Sequence, residues 1–559
     1  MVTIGGTHLT IADIAAVAGG AKVQLSGDEK VRERVHRSRR IVQDALSNGQ
    51  QIYGVTTLFG GMAGHRVSGE LLSTLQSVAL WQHKSTTGPR LPAKDVRATM
   101  LLRANSLMKG VSGIRLDVIE RYAIFLNADA CPHVYQRGSI GASGDLVPLS
   151  YIAGAIVGLN PAFKVDLNGE ILDSHSALKQ LGLRPIILEP KEGLALNNGT
   201  AACTAVAALC TRRAFDLAAL TLAVHALLAQ ALLATSQSFH PFIHQQKPHP
   251  GQVWTAQEMT RLLEGSRFIR VEVAGVRTNR DGQLIQDRYS LRCLPQYFGP
   301  IIDALIRVSE QIEVEANSAN DNPLIDPDTG EIYHNGNFLA QYTGIAMDQL
   351  RHHVGLMAKH LDVQIALLMS PEFNHGLAPS LAGNVHLGVN VGFKSLQIVG
   401  NALMPLISFH GQAIVDRYPT HAEQFNQNVN SQAMNAANLA RESLDLMEHY
   451  LANALVLAVQ AVELRAHASD GSYDATAFLS PATRNLYIAA RTAALAPPSA
   501  DRPLLHDDLD HFIQPMVEGV LAGMDGGGAI HQSLATVYAS AAAQASFSAK
   551  LMKMHCRRS

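Results

Sequence analysis

The chain has 559 residues, with 45 Lys and Arg against 47 Asp and Glu, and only 16% of its residues are charged. This balance provides no basic face for nucleic acid or an anionic membrane, and a chain so poor in charge is not largely disordered. With 47% hydrophobic residues, much of its surface must be covered, either in one large core or by other subunits.

Long helical patterns dominate the sequence. Apolar spacing predicts helices over 34–47 and 300–318, and longer proline-free helices over 341–368 and 431–466. One or two buried helices are expected within 200–237. Residues 217–235 are long enough to span a bilayer, but Ala-rich composition with an internal His and Gln favours a buried bundle helix.

Strand signals are scarce, and the best is the hairpin predicted over 163–172 around an Asn-Gly turn. We therefore expect a mainly α fold with a central bundle of long helices. Three regions are predicted: an N-terminal, loop-rich region (1–200), a central long-helix bundle (201–475) and a C-terminal helical region (476–559). The basic tail at 550–559 is expected to fray.

The cysteines and the N-terminus bear on the cell compartment. Five cysteines without CxxC spacing favour a reducing cytoplasm over a disulfide or zinc scaffold; they are Cys131, Cys203, Cys210, Cys293 and Cys556. The opening MVTIGGTHLT lacks a basic segment followed by an apolar run, so we expect no signal peptide. The expected location is cytoplasmic.

Several common chemistries lack their sequence context. The glycines at 60–64 are not followed by Gly-Lys-Ser/Thr, which argues against a phosphate-binding loop. His240, His244 and His249 lie among prolines that interrupt the helix a zinc motif needs, so no metal site is predicted. A serine hydrolase is disfavoured because Asp145 replaces the last glycine of G-x-S-x-G and no buried strand precedes it.

The tripeptide Ala142-Ser143-Gly144 suggests another chemistry. Gly144 N can attack the Ala142 carbonyl, because glycine tolerates the tight bend. Loss of water closes an imidazolone, and dehydration of Ser143 leaves an exocyclic methylene, giving the electrophile 4-methylidene-imidazol-5-one (MIO). Alone, the tripeptide fits equally an ordinary loop before a helix that begins near Asp145.

The extended motif GSIGASGDLVPL at 138–149 resembles the signature of the aromatic amino acid ammonia-lyases and aminomutases, which include histidine, phenylalanine and tyrosine ammonia-lyases. NNGT at 197–200, QDRYSLRC at 286–293, NSANDNP at 317–323 and GNF at 336–338 also match, in the family's order. The likeness is strongest to the bacterial phenylalanine and tyrosine enzymes. It implies an ammonia-lyase/fumarase-like fold, an MIO made in the N-terminal region, no metal or nucleotide, and a homotetramer whose sites combine three subunits.

The resemblance also implies residue roles. Tyr53 corresponds to the general base, whose pKa we expect the site to lower, and Arg292 to the residue that grips the substrate carboxylate. From the residues alone, Tyr53 could be a packing aromatic and Arg292 a structural ion-pair partner. Further matches to residues around the prosthetic group and substrate are Leu194, Asn198, Gln286, Tyr289, Asn322, Phe338, Lys394, Glu423 and Gln427.

Two positions depart from the family pattern. The pair that selects substrate aligns with Gln82-His83, which is neither Phe-Leu (phenylalanine enzymes), His-Leu (tyrosine), His-Gln (dual) nor Ser-His (histidine). A polar pair favours a substrate with a polar ring substituent, unless both side chains face partly away. Leu58 replaces a common glycine.

The implied reaction is non-oxidative elimination of ammonia from an aromatic, phenylalanine- or tyrosine-like L-amino acid, giving a trans-arylacrylate such as cinnamate. Histidine deamination and a 2,3-aminomutase are same-chemistry alternatives. An alternative of another class is a catalytically silent helical scaffold that keeps Ala142-Ser143-Gly144 uncyclised.

Overall fold

The computed structural model describes residues 1–271, 286–418 and 420–544, and the described residues are mainly helical. They form two compact units: one from 1–212, 308–349 and 413–441, the other from 213–307, 350–412 and 442 onward. The predicted mainly α fold is confirmed. The division into three sequence regions stays a prediction, and the tail at 550–559 with Cys556 lies outside the described residues.

Four long helices match the predicted patterns. They span Ala201–Ala231, Leu294–Ala316, Gln341–Met369 and Ala433–Asp470. The second of these begins at Leu294, six residues before the predicted start at 300, and continues through Pro300. Ala201–Ala231 is the one described helix apolar and long enough to cross a membrane, but 94% of its apolar window is buried inside the protein, as expected of a core helix.

Shorter helices surround these. In the first unit they span Ile11–Ala18, Glu29–Ser47, Leu72–Trp81, Ala93–Leu107, Leu116–Asn127, Leu146–Val157, Ser174–Gln180 and Glu192–Asn197. In the second unit they span Pro241–Gln245, Pro250–Leu263, Tyr289–Arg292, Lys394–His410, Pro481–Ala494, Ile513–Met524 and Ala529–Ser533. Single 3-10 turns lie at Gly60–Met62, Gly69–Leu71, Ser236–Phe239, Pro379–Leu381 and Ala475–Ala477.

The described strands are short and lie in the first unit. Val2–Ile4 pairs in parallel with Val23–Leu25, and Leu324–Ile325 pairs antiparallel with Ile332–Tyr333. The predicted hairpin is present: Lys164–Leu167 and Glu170–Asp173 pair around Asn168 and Gly169, both with positive φ, and Ala130–Pro132 adds a third strand. None of these sheets carries the site, which is built from loops and helix ends.

Candidate active site

The first unit contains a cavity of about 380 Å³ lined by segments far apart in sequence. It gathers eleven of the residues expected from the sequence: Tyr53, Gln82, His83, Ala142, Ser143, Leu194, Asn198, Asn322, Phe338, Glu423 and Gln427. Three polar loops, at 53–61, 138–145 and 421–432, contribute to this lining.

The turn at 138–145 is held from two sides. Gly199 O accepts a hydrogen bond from Asp145 N (2.7 Å), and Cys203 N donates to the buried Asp145 carboxylate (2.8 Å). On the other side, Ser431 Oγ donates to Gly141 O (2.8 Å). Burial raises the pKa of Asp145, although the hydrogen bonds from Ser139 and Cys203 oppose that shift.

Two glycines in this turn allow close approach of the neighbouring chain. Gly141 and Gly144 have φ of +65° and +66°, the left-handed region that disfavours side chains. A Cβ on Gly144 would overlap Gly199 O, and one on Gly141 would overlap Ser431 Oγ. The turn therefore bends tightly at the tripeptide and lies directly against both neighbours.

Both oxygens of Ser143 accept hydrogen bonds from amides that line the cavity. Asn198 Nδ2 donates to Ser143 O (3.0 Å), and Gln427 Nε2 donates to Ser143 Oγ (3.0 Å). When the tripeptide cyclises, Ser143 O remains as the carbonyl oxygen of the imidazolone, whereas Ser143 Oγ leaves as water. The buried Asn198 Oδ1 has no hydrogen-bond partner among the described residues. This donor set fits an imidazolone at 142–144.

Tyr53 lies on a loop fixed by buried neighbours. Ile52 and Val55 are fully buried in a cluster with Val42 and Ala45. Gly54 has φ of +67°, and a Cβ there would lie 2.7 Å from Leu194 Cδ2.

The buried Gln76 side chain ties this loop to the helix Glu192–Asn197. Gln76 Nε2 donates to Gly54 O (3.0 Å), and Leu194 N donates to Gln76 Oε1 (3.1 Å). These contacts direct Tyr53 into the cavity.

The Tyr53 phenol accepts a hydrogen bond from Gly60 N (2.9 Å). Burial raises the pKa of Tyr53, the nearby Glu423 carboxylate raises it further, and the Gly60 N–H lowers it. The expectation that the site lowers this pKa is therefore wrong for the described residues, because desolvation of the phenolate outweighs one N–H donor.

Glu423 approaches the same loop so closely that a Cβ on Gly60 would overlap its carboxylate. Burial raises the pKa of Glu423. Glu423, Gln424 and Phe425 all have positive φ, at 50°, 51° and 63°. Three consecutive non-glycine residues with left-handed backbone are strained, at a cost of roughly 1–2 kcal/mol each. Such strain commonly marks functional loops.

His83 and Gln82 both line the cavity, so they are available to a substrate ring. His83 Nδ1 lies 2.7 Å from Ala79 O, and because a carbonyl only accepts, Nδ1 carries the proton. Burial lowers the pKa of His83. The neutral ring therefore has Nε2 as a hydrogen-bond acceptor.

Four expected site residues do not line the cavity and belong to the second unit: Gln286, Tyr289, Arg292 and Lys394. Tyr289 is 74% exposed. The Arg292 guanidinium packs on the Tyr289 ring (4.8 Å to the centroid), and its Nε donates to Asp287 O (3.2 Å). No carboxylate of the described residues forms an ion pair with Arg292, which disfavours the structural ion-pair interpretation.

Sequence reasoning missed several lining residues. Asn197 and Gly336 lie inside motifs that had already been singled out, and Asn426 lies between the expected residues Glu423 and Gln427, so their neighbours were the available signal. Phe59 lies in the Tyr53 loop. Gln76, which positions that loop, was not among the expected site residues.

Comparison with known proteins supports the expected family. Residues 9–492 match the family model described as aromatic amino acid lyase. The chain is 60% identical to an aromatic ammonia-lyase of Loktanella atrilutea (96% of this chain, 98% of that one) and 51% identical to a phenylalanine ammonia-lyase of Nostoc punctiforme (97% and 95%). Among solved structures it resembles a tyrosine aminomutase from Streptomyces globisporus, with TM-score 0.85 and 28% identity over 96% of this chain and 98% of that one.

Proposed function

Because this chain belongs to the aromatic amino acid lyase family and is an aromatic amino acid ammonia-lyase, we propose that it makes an MIO from its own Ala142, Ser143 and Gly144. Its substrates would be phenylalanine- or tyrosine-like L-amino acids, released as trans-arylacrylates. The observation that carries the proposal is the pair of amide donors, Asn198 and Gln427, on the two oxygens of Ser143.

The electrophile addresses the difficulty of the reaction, since the proton removed lies β to the carboxylate and is weakly acidic. When present, an MIO supplies an electron-poor methylene that captures the amine or the ring, as an electron-sink cofactor does. Asn198 Nδ2 stabilises negative charge on Ser143 O, in the manner of an oxyanion hole. Gln427 supports departure of the Ser143 hydroxyl by donating to Oγ.

Proton removal falls to Tyr53, which lines the cavity with the tripeptide. The Gly60 N–H that donates to Tyr53 Oη stabilises the phenolate needed for this role. Glu423, beside the same loop, would steer the substrate ammonium group by charge. Leu194, Asn322 and Phe338 form other parts of the wall.

Substrate preference would depend on Gln82 and His83. The acceptor Nε2 of His83 pairs with a ring hydroxyl of a tyrosine-like substrate, whereas a plain phenyl ring leaves it unpaired. The relative in Nostoc punctiforme named a phenylalanine ammonia-lyase supports phenylalanine-like substrates. An imidazole N–H also fits the His83 acceptor, so histidine is the second candidate substrate.

The site would be completed in a cytoplasmic homotetramer. Arg292 and Tyr289, which the family resemblance assigns to the substrate carboxylate, do not line the cavity of their own chain. The helix Lys394–His410 exposes apolar side chains, among them Ile398 (60%) and Phe409 (67%). Such a surface favours burial against another subunit, and a second chain would supply the missing arginine.

Intact mass tests the proposal. The wild-type chain is expected to be lighter than its sequence by two water molecules, and the Ser143→Ala chain, which lacks the hydroxyl, is not. Formation of arylacrylate is then followed by absorbance with phenylalanine, tyrosine, dihydroxyphenylalanine and histidine. An unmodified wild-type mass would favour the silent scaffold, and release of β-amino acid as the main product would favour the aminomutase.

A further inference from the structure

Arg103 is a fully buried guanidinium behind the wall of the cavity, and no catalytic role explains it. It lies in the helix Ala93–Leu107 and does not line the cavity. Its Nε has no hydrogen-bond partner among the described residues, and burial lowers the pKa of the guanidinium. Burying a cation with an unpaired donor is costly. A functional role for Arg103 would explain why this cost is accepted.

Asn198 and Gly199 form a corner between the helices Glu192–Asn197 and Ala201–Ala231. Arg103 contacts the chain before this corner directly and the chain after it through Asn320. Arg103 Nη2 donates to Ala195 O, three residues before Asn198. Arg103 Nη1 donates to Asn320 Oδ1 (3.0 Å), and Asn320 Nδ2 donates to Thr200 Oγ1 (2.8 Å), which follows Gly199. The planar fork of one arginine thereby binds the backbone before the corner directly and the Thr200 side chain after it through Asn320.

Gly199 lies between this guanidinium and the tripeptide. A Cβ on Gly199 would overlap Arg103 Nη1, and a Cβ on Gly144 would overlap Gly199 O. Arg103 thus lies against Gly199, and Gly199 lies against Gly144. Gly144 N is the atom that attacks the Ala142 carbonyl in the cyclisation, so the position of Gly199 limits where that nitrogen lies.

The loop that carries Asn320 is fixed in turn by a second buried contact. Lys191 Nζ lies 2.7 Å from Asp321 Oδ2, and both side chains are fully buried. Ser112 Oγ donates to the other oxygen of Asp321 (3.2 Å). Buried contacts therefore hold the residue next to Asn320, the side chain that accepts from Arg103.

We propose that Arg103 is a positioning residue that holds the Asn198-Gly199 corner in contact with Ala142-Ser143-Gly144. In this position the tripeptide can cyclise, and Asn198 Nδ2 can donate to Ser143 O. The inference rests on the proposed function, because it concerns the formation of the same electrophile. It requires no contact between Arg103 and substrate. Small displacements of reacting groups are costly, since about 1 Å of misplacement reduces rates about 100-fold.

The test compares Arg103→Met with Arg97→Met, a matched control on the same helix. Arg97 is also buried and donates to two main-chain oxygens, Val17 O (2.9 Å) and Leu126 O (3.1 Å), and to the Asp129 carboxylate (2.5 Å), but none of these partners belongs to the corner. Both changes remove a buried guanidinium and are expected to lower the melting temperature. A general loss of stability therefore affects both variants, whereas a positioning effect is confined to Arg103→Met.

The first measurement is the fraction of purified chains lighter by two waters. We expect this fraction, or its rate of appearance, to fall at least about tenfold in Arg103→Met and to remain at the wild-type level in Arg97→Met. The second measurement is the kinetic split: kcat falls with the cyclised fraction, while KM for phenylalanine changes less than about twofold because Arg103 does not line the cavity.

Arg103→Lys keeps the charge but has a single flexible ammonium nitrogen in place of the planar fork, so an intermediate cyclised fraction is expected. If Arg103→Met is insoluble, Arg103→Lys decides the question. Wild-type cyclisation in the soluble Arg103 variant, or an equal loss in Arg97→Met, overturns the inference. A wild-type chain that is itself uncyclised instead overturns the proposed function, so the two failures are distinguishable.

Discussion

The turn at 138–145 and the segment at 286–293 are assigned to one reaction, yet their surroundings differ. The turn lies in the first unit, is fixed by buried hydrogen bonds and contributes Ala142 and Ser143 to the cavity. The segment lies in the second unit and presents Tyr289 to solvent. The first unit thus gathers Tyr53, the proposed base, with Ala142 and Ser143 around one cavity, and the arginine assigned to the carboxylate is not among the lining residues.

That difference predicts complementation between inactive chains. Ser143→Ala and Arg292→Met are each expected to lower kcat/KM more than about a thousandfold, since one removes the electrophile and the other the carboxylate grip. Co-expressed in equal amounts, they are expected to recover about a quarter of wild-type activity, because a site that draws Arg292 from another chain is intact with probability one half times one half.

The measurement is arylacrylate absorbance per active-site concentration, with each single variant measured alone. The matched control pairs Ser143→Ala with Tyr53→Phe, whose side chains line one cavity of one chain. That mixture is expected to stay inactive. If mixing Ser143→Ala with Arg292→Met restores nothing, the arginine does not come from a second subunit.

Replacing Tyr53, the proposed base, is expected to give the next largest effect. Tyr53→Phe is expected to lower kcat about 100- to 10,000-fold, the usual contribution of a general base, and to leave the mass loss of two waters unchanged. Because burial raises the pKa of Tyr53, the phenolate fraction in the wild type increases with pH throughout the range below that pKa. Wild-type kcat/KM should therefore rise from pH 7 to 9, and a flat profile would argue against Tyr53 as the base.

The parts predictable from sequence are those with a local signal. Helices over 341–368 and 431–466 follow from proline-free apolar spacing, and the hairpin over 163–172 follows from Asn-Gly. The site segments were recognisable because their short motifs resemble those of a known family. Buried hydrogen bonds between distant segments carry no such signal, which is why Gln76 and Arg103 were found only in the structure.

The pKa of Tyr53 shows a second reason for failure. A lowered pKa was predicted because the reaction needs a phenolate. In the folded chain, desolvation and the nearby Glu423 carboxylate raise this pKa instead. The strained residues 423–425 are likewise unpredictable, because Glu, Gln and Phe have no preference for the left-handed region and only tertiary contacts hold them there.

Changing the substrate-selecting pair should have a moderate effect. In Gln82→Phe/His83→Leu we expect the ratio of kcat/KM for phenylalanine to that for tyrosine to rise about tenfold, because the neutral His83 acceptor is replaced by an apolar contact. Each single variant is assayed beside the double variant to separate the two positions. Unchanged ratios in all three would mean that another residue selects the ring.

The smallest predicted effect concerns Glu423, and it tests the influence of the Glu423 charge on the pKa of Tyr53. Its ionised carboxylate disfavours the Tyr53 phenolate, so Glu423→Gln lowers the pKa of Tyr53 and moves the rising limb of the pH profile to lower pH. The shift should be small, because burial, the larger cause, is unchanged. The readout is the midpoint of the limb, which does not depend on any loss of maximal rate.

Gln427→Leu is the uncharged control for this shift, since Gln427 also lines the cavity and donates to Ser143 Oγ. It is expected to lower the rate without moving the limb. A limb that stays in place in Glu423→Gln, or moves to higher pH, would mean that another group titrates. A shift to lower pH confined to Glu423→Gln would instead assign the limb to Tyr53 and place its pKa under the control of the strained 423–425 loop.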